Sequence, residues 1–225
     1  MKIETLVLAT KNKNKVKEII SLFNKLPLAG DGSHKERGRF PTSKGEPSPT
    51  IAIETLDKWK NAPDIQETGE TLEDNAILKA RGIAEFTGKW VFADDSGLEV
   101  DALGGAPGVK SARFAGEACS YEDNNKKLLK LLEGIPYKER KARFRCVIAL
   151  VSPEKKVWIV QGTLEGYIAK ESKGDNGFGY DPVFIFSDTG KHLAEMTMEE
   201  KNNISHRGKA LKNLIKLIQS FQIQE

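Results

Sequence analysis

Trp90-Val91-Phe92-Ala93-Asp94-Asp95-Ser96-Gly97 is the stretch on which the reading of this chain turns. Four apolar residues predict a strand that stops at two adjacent carboxylates, with Ser and Gly forming the turn beyond. Neighbouring residues on a strand point to opposite faces, so only one of the two acids faces a given site. Carboxylates at the carboxyl end of a strand lie where open α/β sheets take their ligands. The same four residues also suit an acidic surface turn. Further on, Gly104, Gly105 and Gly108 read as turn formers, and Arg113 suits either an ion pair or a ligand contact.

Working outward, Ile3 to Ala9 reads as a buried strand. It enters the polar run Thr10-Lys11-Asn12-Lys13-Asn14-Lys15, then a helix with Val16, Ile19, Ile20, Phe23 and Leu26 on one side, capped by Thr10 or Asn12. A strand, a turn and a helix start in that order present backbone N–H groups to an anion, and three lysines add charge. Gly30 to Pro49, rich in Gly, Pro, Ser and charge and containing His34, reads as a surface excursion. Thr50 to Leu56 resembles a short strand. A second helix is expected from Glu67 onward, with Thr71 and Asp74 as its cap and Gly88 as its stop. Glu67, Glu70, Glu73 and Asp74 complement its dipole, and Lys79 lies on its solvated face.

Beyond the acidic stretch, Ser120 and Asp123 cap a helix carrying Leu128, Leu131 and Leu132. Phe144–Val151 and Val157–Leu164 form an antiparallel hairpin. A glycine-dense loop, Gly174 to Pro182, leads into the strand Val183–Phe186, and Ser205-His206-Arg207 opens a final helix with Ala210, Leu214, Leu217, Ile218 and Phe221 inward. Trp90 and Trp158 read as core residues. Helices alternate with strands, but the hairpin interrupts them, so the fold class is α/β with a mixed sheet.

The 225 residues suit a single domain. A net charge of +3, from 35 basic and 32 acidic residues, is too small to mark a nucleic-acid protein. Cys119 and Cys146 have no metal-ligand spacing and read as free thiols of a reducing compartment. No apolar run is long enough to span a bilayer, and the expected location is the cytoplasm.

Four polar clusters fall at turns or glycine loops: Thr10 to Lys15; Asp94 to Gly97; Phe178 to Asp181; and Ser205 to Arg207, with Lys201 just before. Acids to hold Mg²⁺, cations to neutralise phosphate and an aromatic ring to stack on a base suit metal-assisted chemistry on a nucleoside polyphosphate.

In order along the chain stand Thr10-x-Asn12-x-x-Lys15, Glu67-Thr68-Gly69 with Glu73-Asp74-Asn75-Ala76, Ala93-Asp94-Asp95-Ser96-Gly97-Leu98, Gly104-Gly105-Ala106-Pro107-Gly108 with Ser111-Ala112-Arg113, Phe178-Gly179-Tyr180-Asp181-Pro182, and Ser205-His206-Arg207. This sequence resembles the inosine triphosphate pyrophosphatase, or Ham1, family over about residues 3 to 220. The resemblance implies an elongated twisted mixed sheet whose two lobes flank a nucleotide cleft. It implies Mg²⁺-dependent cleavage of ITP, dITP and XTP to the monophosphate and pyrophosphate by a homodimer.

By motif, Asp95 matches the metal-binding general base and Glu67 a second metal ligand. Thr10, Asn12 and Lys15 match the phosphate cradle, with Lys11, Lys13 and Asn14 of the same run expected to bind substrate too and Ser96 beside the reacting phosphates. Phe178 matches the base-stacking ring, with Gly179, Tyr180 and Asp181 shaping its pocket. Lys201, His206 and Arg207 match the remaining substrate contacts, the last two as readers of the C6 keto group. Asp94 is then the structural neighbour of Asp95. Other readings are a Maf-like pyrophosphatase acting on modified or pyrimidine nucleotides and a nucleotide-binding protein without turnover. The excursion at Gly30 to Pro49 has no counterpart in the family pattern and reads as inert surface.

Overall fold

In the computed structural model, which describes residues 3–25 and 51–223, the strand at the acidic stretch runs on through Asp94 and Asp95 to Val100. This corrects the expected stop at Ala93. Asp and Gly are poor strand formers, yet the segment stays extended because a long partner holds it. That partner, Lys141–Val151, pairs antiparallel with Val91–Val100 residue for residue, from Val91 opposite Val151 to Val100 opposite Ala142.

Among the described residues, seven strands form one curled mixed sheet: β1 (Thr5–Leu8), β2 (Ala52–Thr55), β3 (Val91–Val100), β4 (Pro107–Gly108), β5 (Lys141–Val151), β6 (Val157–Ile168) and β7 (Phe184–Phe186). Their order is β2-β1-β3-β5-β6-β7, with β4 beside β3. β1 is parallel to β2 and β3, and every other pairing is antiparallel. The expected hairpin is β5–β6.

On its second edge β3 is paired only at its two ends. β1 matches Val91 and Phe92, and β4 matches Leu98 and Glu99. Among the described residues, the edge from Ala93 to Gly97 has no strand beside it. The chain leaves β1 for its first helix at that point, and Asp95 lines the hollow beside the gap.

The helices are α1 (Lys13–Phe23), α2 (Leu72–Thr87), α3 (Tyr121–Leu131), α4 (Met198–Ile204) and α5 (His206–Ile223). α1 and α5 cover one sheet face through Ile19, Leu22, Phe92, Ile148, Leu150, Leu214 and Ile218. α2 covers the other through Ala76, Ala80, Ile83, Val91, Ala93, Val147 and Ala149. Successive β3 residues thus alternate between two cores, as strand pleating requires. A third core, with Leu98, Leu128, Phe144 and Phe184, fills the far end of the sheet. Trp90 stacks on Trp158 at 5.6 Å, within the α5 side of the core.

Two helix boundaries differ from expectation. α2 begins at Leu72, after its cap Thr71, so Glu67 lies in the extended lead-in and is free of the helix. α4 carries Lys201 on a short helix of its own, with a capping box between Thr197 and Glu200. Leu26, His34 and the excursion at Gly30 to Pro49 lie outside the described residues. Among the described residues, no helix is long and apolar enough to cross a membrane.

Candidate active site

Asp95 projects from the gap in β3 toward α2, where it meets a lysine that the helical pattern placed in solvent. Lys79 Nζ donates to Asp95 Oδ1 at 3.1 Å and to Glu67 Oε1 at 2.6 Å. Its side chain is 12% exposed, so the solvated-face reading of Lys79 is overturned. The residue lies one turn past Asn75 and Ala76 on the buried side of α2, and its long stem reaches over the sheet edge. Asp95, Asp94 and Glu67 together outweigh the burial that would discharge Lys79 and hold its ammonium charged. Burial pushes the Asp95 carboxyl above its ordinary range, against the pull of Lys79 and Lys15.

Asp94 faces the opposite way and is fully buried. Its Oδ2 meets Lys15 Nζ at 3.1 Å and Arg207 Nε at 3.4 Å, and accepts from Ser96 Oγ at 3.2 Å. Burial alone would raise this carboxyl; Lys15, Arg207 and Lys79 overcome it and hold the group well below the usual carboxylate range. Arg207 is equally enclosed. It donates to Glu18 Oε2 at 2.6 Å and to Ser96 Oγ at 3.3 Å. The pleat thus gives the two acids different work: Asp95 stands in an acid–lysine cluster that lines a hollow, and Asp94 neutralises the buried Arg207 and the partly buried Lys15.

Two hollows meet at this strand. One, of about 320 Å³, contains Thr10, Lys11, Glu67, Lys79 and Asp95. The other, of about 110 Å³, is walled by Tyr121, Phe144, Phe178, Tyr180, His206 and Arg207. Asn12, Lys15, Ser96 and Ala112 line both. Asn12 caps α1, its Oδ1 accepting from the N–H groups of Asn14 and Lys15. The junction therefore combines a helix N-terminus with a lysine, a ready anion position.

In the aromatic hollow, Phe178 sits below Lys201 Nζ at 4.9 Å and near Arg207 Cζ at 6.0 Å. Asp181 shapes the loop, accepting from Phe178 N–H at 2.8 Å and from Lys201 Nζ at 2.6 Å. His206 lies flat on Phe144, with centroids 4.9 Å apart. Burial, reinforced by Arg207 and Lys201, drives its pKa well below the ordinary value and keeps the ring neutral. Tyr180 donates its hydroxyl proton to the Ser111 carbonyl at 2.9 Å. Gly179 belongs to the same wall.

The sequence-predicted residues Thr10, Lys11, Asn12, Lys15, Glu67, Asp95, Ser96, Phe178 to Asp181, Lys201, His206 and Arg207 all line one or both hollows. Lys11 is bound meanwhile to Asp64 at 2.8 Å. Asn14 faces a separate groove between α1 and α4, and Lys13, exposed in the first turn of α1, is not among the described residues lining any of these hollows. Arg113 pairs with Glu117 at 3.8 Å, and Gly104, Gly105 and Gly108 take the positive φ of turn glycines.

Besides Lys79, sequence reasoning missed Glu18 and Tyr121. Glu18 carried a signal: an acid interleaved with Lys15, Ile19 and Leu22 on the inward stripe of α1. Tyr121 carried only its position just after a helix cap.

Comparison with known proteins gives a consistent result. The sequence pattern of the Ham1 family matches residues 6–217. A dITP/XTP pyrophosphatase of Desulforamulus reducens is 47% identical over 220 residues, covering 98% of each chain. Another, of a Thermoanaerobacter species, is 52% identical over 190 residues, 84% of this chain and 94% of that protein. A solved structure of a HAM1 protein from Coxiella burnetii superposes with a TM-score of 0.79 at 37% identity, covering 97% of this chain and all of that one.

Proposed function

The chain belongs to the Ham1 family, and from that premise we propose that it is a nucleoside triphosphate diphosphatase cleaving non-standard purine triphosphates, dITP, ITP and XTP, to the monophosphate and pyrophosphate. The observation that carries this reading is the junction of the two hollows. An acid–lysine cluster and an aromatic, base-sized hollow share Asn12, Lys15 and Ser96 in their walls, the arrangement a nucleotide needs for its phosphates on one side and its ring on the other.

Among the described residues no three His, Cys, Asp or Glu side chains form a ready-made metal site. Glu67 and Asp95 nevertheless converge on one cation, the Lys79 ammonium. Two carboxylates, with substrate phosphate oxygens completing the shell, is how Mg²⁺ is commonly held, so the donor set fits and Glu67 and Asp95 would be its protein ligands. Bound there, Mg²⁺ would neutralise phosphate charge and polarise the scissile anhydride.

The chain's own residues supply the rest. Lys15 and the α1 N-terminus, with its Asn12 cap, hold the phosphates; Lys11 joins them by releasing Asp64. Asp95, which lines the hollow that would take the phosphates, orients and deprotonates the attacking water. Lys79 fixes Asp95 and Glu67 and stabilises the charge that builds up as the bond breaks. Phe178 stacks on the base.

A guanidinium has five N–H donors. Arg207 commits three of them, to Glu18, Asp94 and Ser96, leaving two for the C6 oxygen of hypoxanthine or xanthine. Adenine offers an amino group there, and a buried donor left unpaired costs about 1–3 kcal/mol, a preference of roughly 5- to 150-fold.

The test is pyrophosphate release from dITP, XTP, dATP and dGTP with Mg²⁺ and with excess EDTA. Turnover of dITP and XTP well above dATP, lost on chelation, is expected. Equal rates on all purines, or release of orthophosphate, would overturn the reading. We also read the chain as a cytoplasmic homodimer; light scattering at twice the 24.9 kDa chain mass is the expected result.

A further inference from the structure

We propose that Tyr121 is the second jaw of an aromatic clamp that grips the purine ring against Phe178. This rests on the nucleotide reading above and goes beyond it by adding a positioning residue on the other side of the base. Tyr121 is the first residue of α3, lines the aromatic hollow, and is 43% exposed despite its large apolar ring. Its ring centroid lies 6.1 Å from that of Phe178, with a tilt of 41°.

A flat ring sandwiched between two others needs about 3.5 Å on each side, so about 7 Å between the jaws. The rings are therefore about an ångström short of that spacing and misaligned by the tilt. A χ rotation of the half-exposed Tyr121 supplies both corrections without moving the backbone.

The backbone is held on each side of the gap. The Ser120–Asp123 capping box fixes the start of α3, with Ser120 Oγ accepting from Asp123 N–H at 3.1 Å and Asp123 Oδ2 accepting from Ser120 N–H at 2.8 Å. One turn on, Asn125 Nδ2 donates to the Gly179 carbonyl at 3.0 Å and ties α3 to the loop that carries Phe178. Asp181 fixes the Phe178 backbone from the other side. One jaw is thus set by its loop, the other swings on a fixed helix start, and Asn125 sets the distance between them.

Stacking on an aromatic face is indifferent to a base's edge groups. Tyr121 therefore raises affinity for every purine, and the Arg207 side of the hollow carries the discrimination.

The experiment compares wild-type protein, Tyr121→Ala and Tyr121→Phe on dITP. It adds inhibition by inorganic tripolyphosphate, which has the phosphates and no ring. Expected in Tyr121→Ala are a rise in KM of about tenfold, kcat within about twofold, and an unchanged tripolyphosphate Ki. Tyr121→Phe should behave as wild type, and the KM increase in Tyr121→Ala should be the same factor for dITP and dATP. An unshifted KM in Tyr121→Ala, an equal rise in KM and in the tripolyphosphate Ki, or failure of Phe to restore the wild-type KM would each overturn the clamp. Absence of wild-type pyrophosphate release would instead refute the functional reading and take the clamp with it.

Discussion

Replacing each of the two adjacent acids by its amide should give opposite results. Asp94→Asn removes one charge from a quartet in which the buried Asp94 and Glu18 balance the buried Arg207 and the partly buried Lys15. Asp94 is 0% exposed, so no water can replace the missing charge. Removing one member of a buried ion pair costs about 3–5 kcal/mol. For a chain of this length each kcal/mol lowers Tm by about 2–4 °C, so the melt should fall by about 10 °C.

The pH dependence has a definite sign. Lys15 and Arg207 hold the Asp94 carboxyl below its ordinary value of 3.8. Its stabilisation is therefore complete above that pH and is lost as pH falls toward the depressed folded value. The gap between wild type and Asp94→Asn is full at neutral pH and narrows only in strong acid.

Asp95 behaves in the reverse way. Its carboxyl is raised, so its ionised form burdens the fold above the raised value, and Asp95→Asn should melt at or slightly above the wild-type temperature while losing turnover. Thermal melts by circular dichroism, paired with pyrophosphate release, read both effects. An Asp94→Asn melt within about 2 °C of wild type, or an Asp95→Asn loss as large as that of Asp94→Asn, would refute the assignment of the two faces.

Lys79→Met removes the cation that pulls the Asp95 carboxyl down, so the acid limb of the pH–rate profile should move to higher pH; a limb that stays in place refutes the bridging role. Gly97→Ala puts a Cβ 3.0 Å from the Gly108 carbonyl carbon and closer still to its oxygen. Backbone cannot yield as a side chain does, so β4 should detach, with a stability loss of about 1–3 kcal/mol in urea. Glu18→Gln leaves Arg207 with one carboxylate instead of two and should lower Tm nearly as far as Asp94→Asn. The two changes combined should fall short of additivity because they share a partner.

Local signals served well where the chain's own chemistry decides the outcome. The Asn12 cap, the Gly88 stop at φ +66°, the Ser120–Asp123 capping box and the β5–β6 hairpin were all legible. The alternation that sends Asp94 and Asp95 to opposite faces was legible too, because it needs only a strand. Where β3 ends was not, because Asp-Asp-Ser-Gly has the composition of a turn and is straightened by β5, fifty residues away in sequence. Lys79 failed for a related reason. Helical periodicity assigns a face to the Cβ, but a lysine stem carries its charge several ångströms over the neighbouring edge. Glu18 needed α5 to explain it, since its partner Arg207 is 189 residues away.

The dependence of the middle of β3 on β5 alone, among the described strands, bears on how the protein is made. The acid cluster of Glu67, Lys79 and Asp95 leaves the ribosome early, but nothing keeps its strand straight until Lys141–Val151 has followed. The charge on Asp94 is not fully answered until Arg207, 113 residues further along the chain, arrives. A nascent chain therefore holds these side chains before the strand and helix that align them have followed. In refolding, helical signal should return ahead of pyrophosphate release. The interval between them measures how long the site waits for α5.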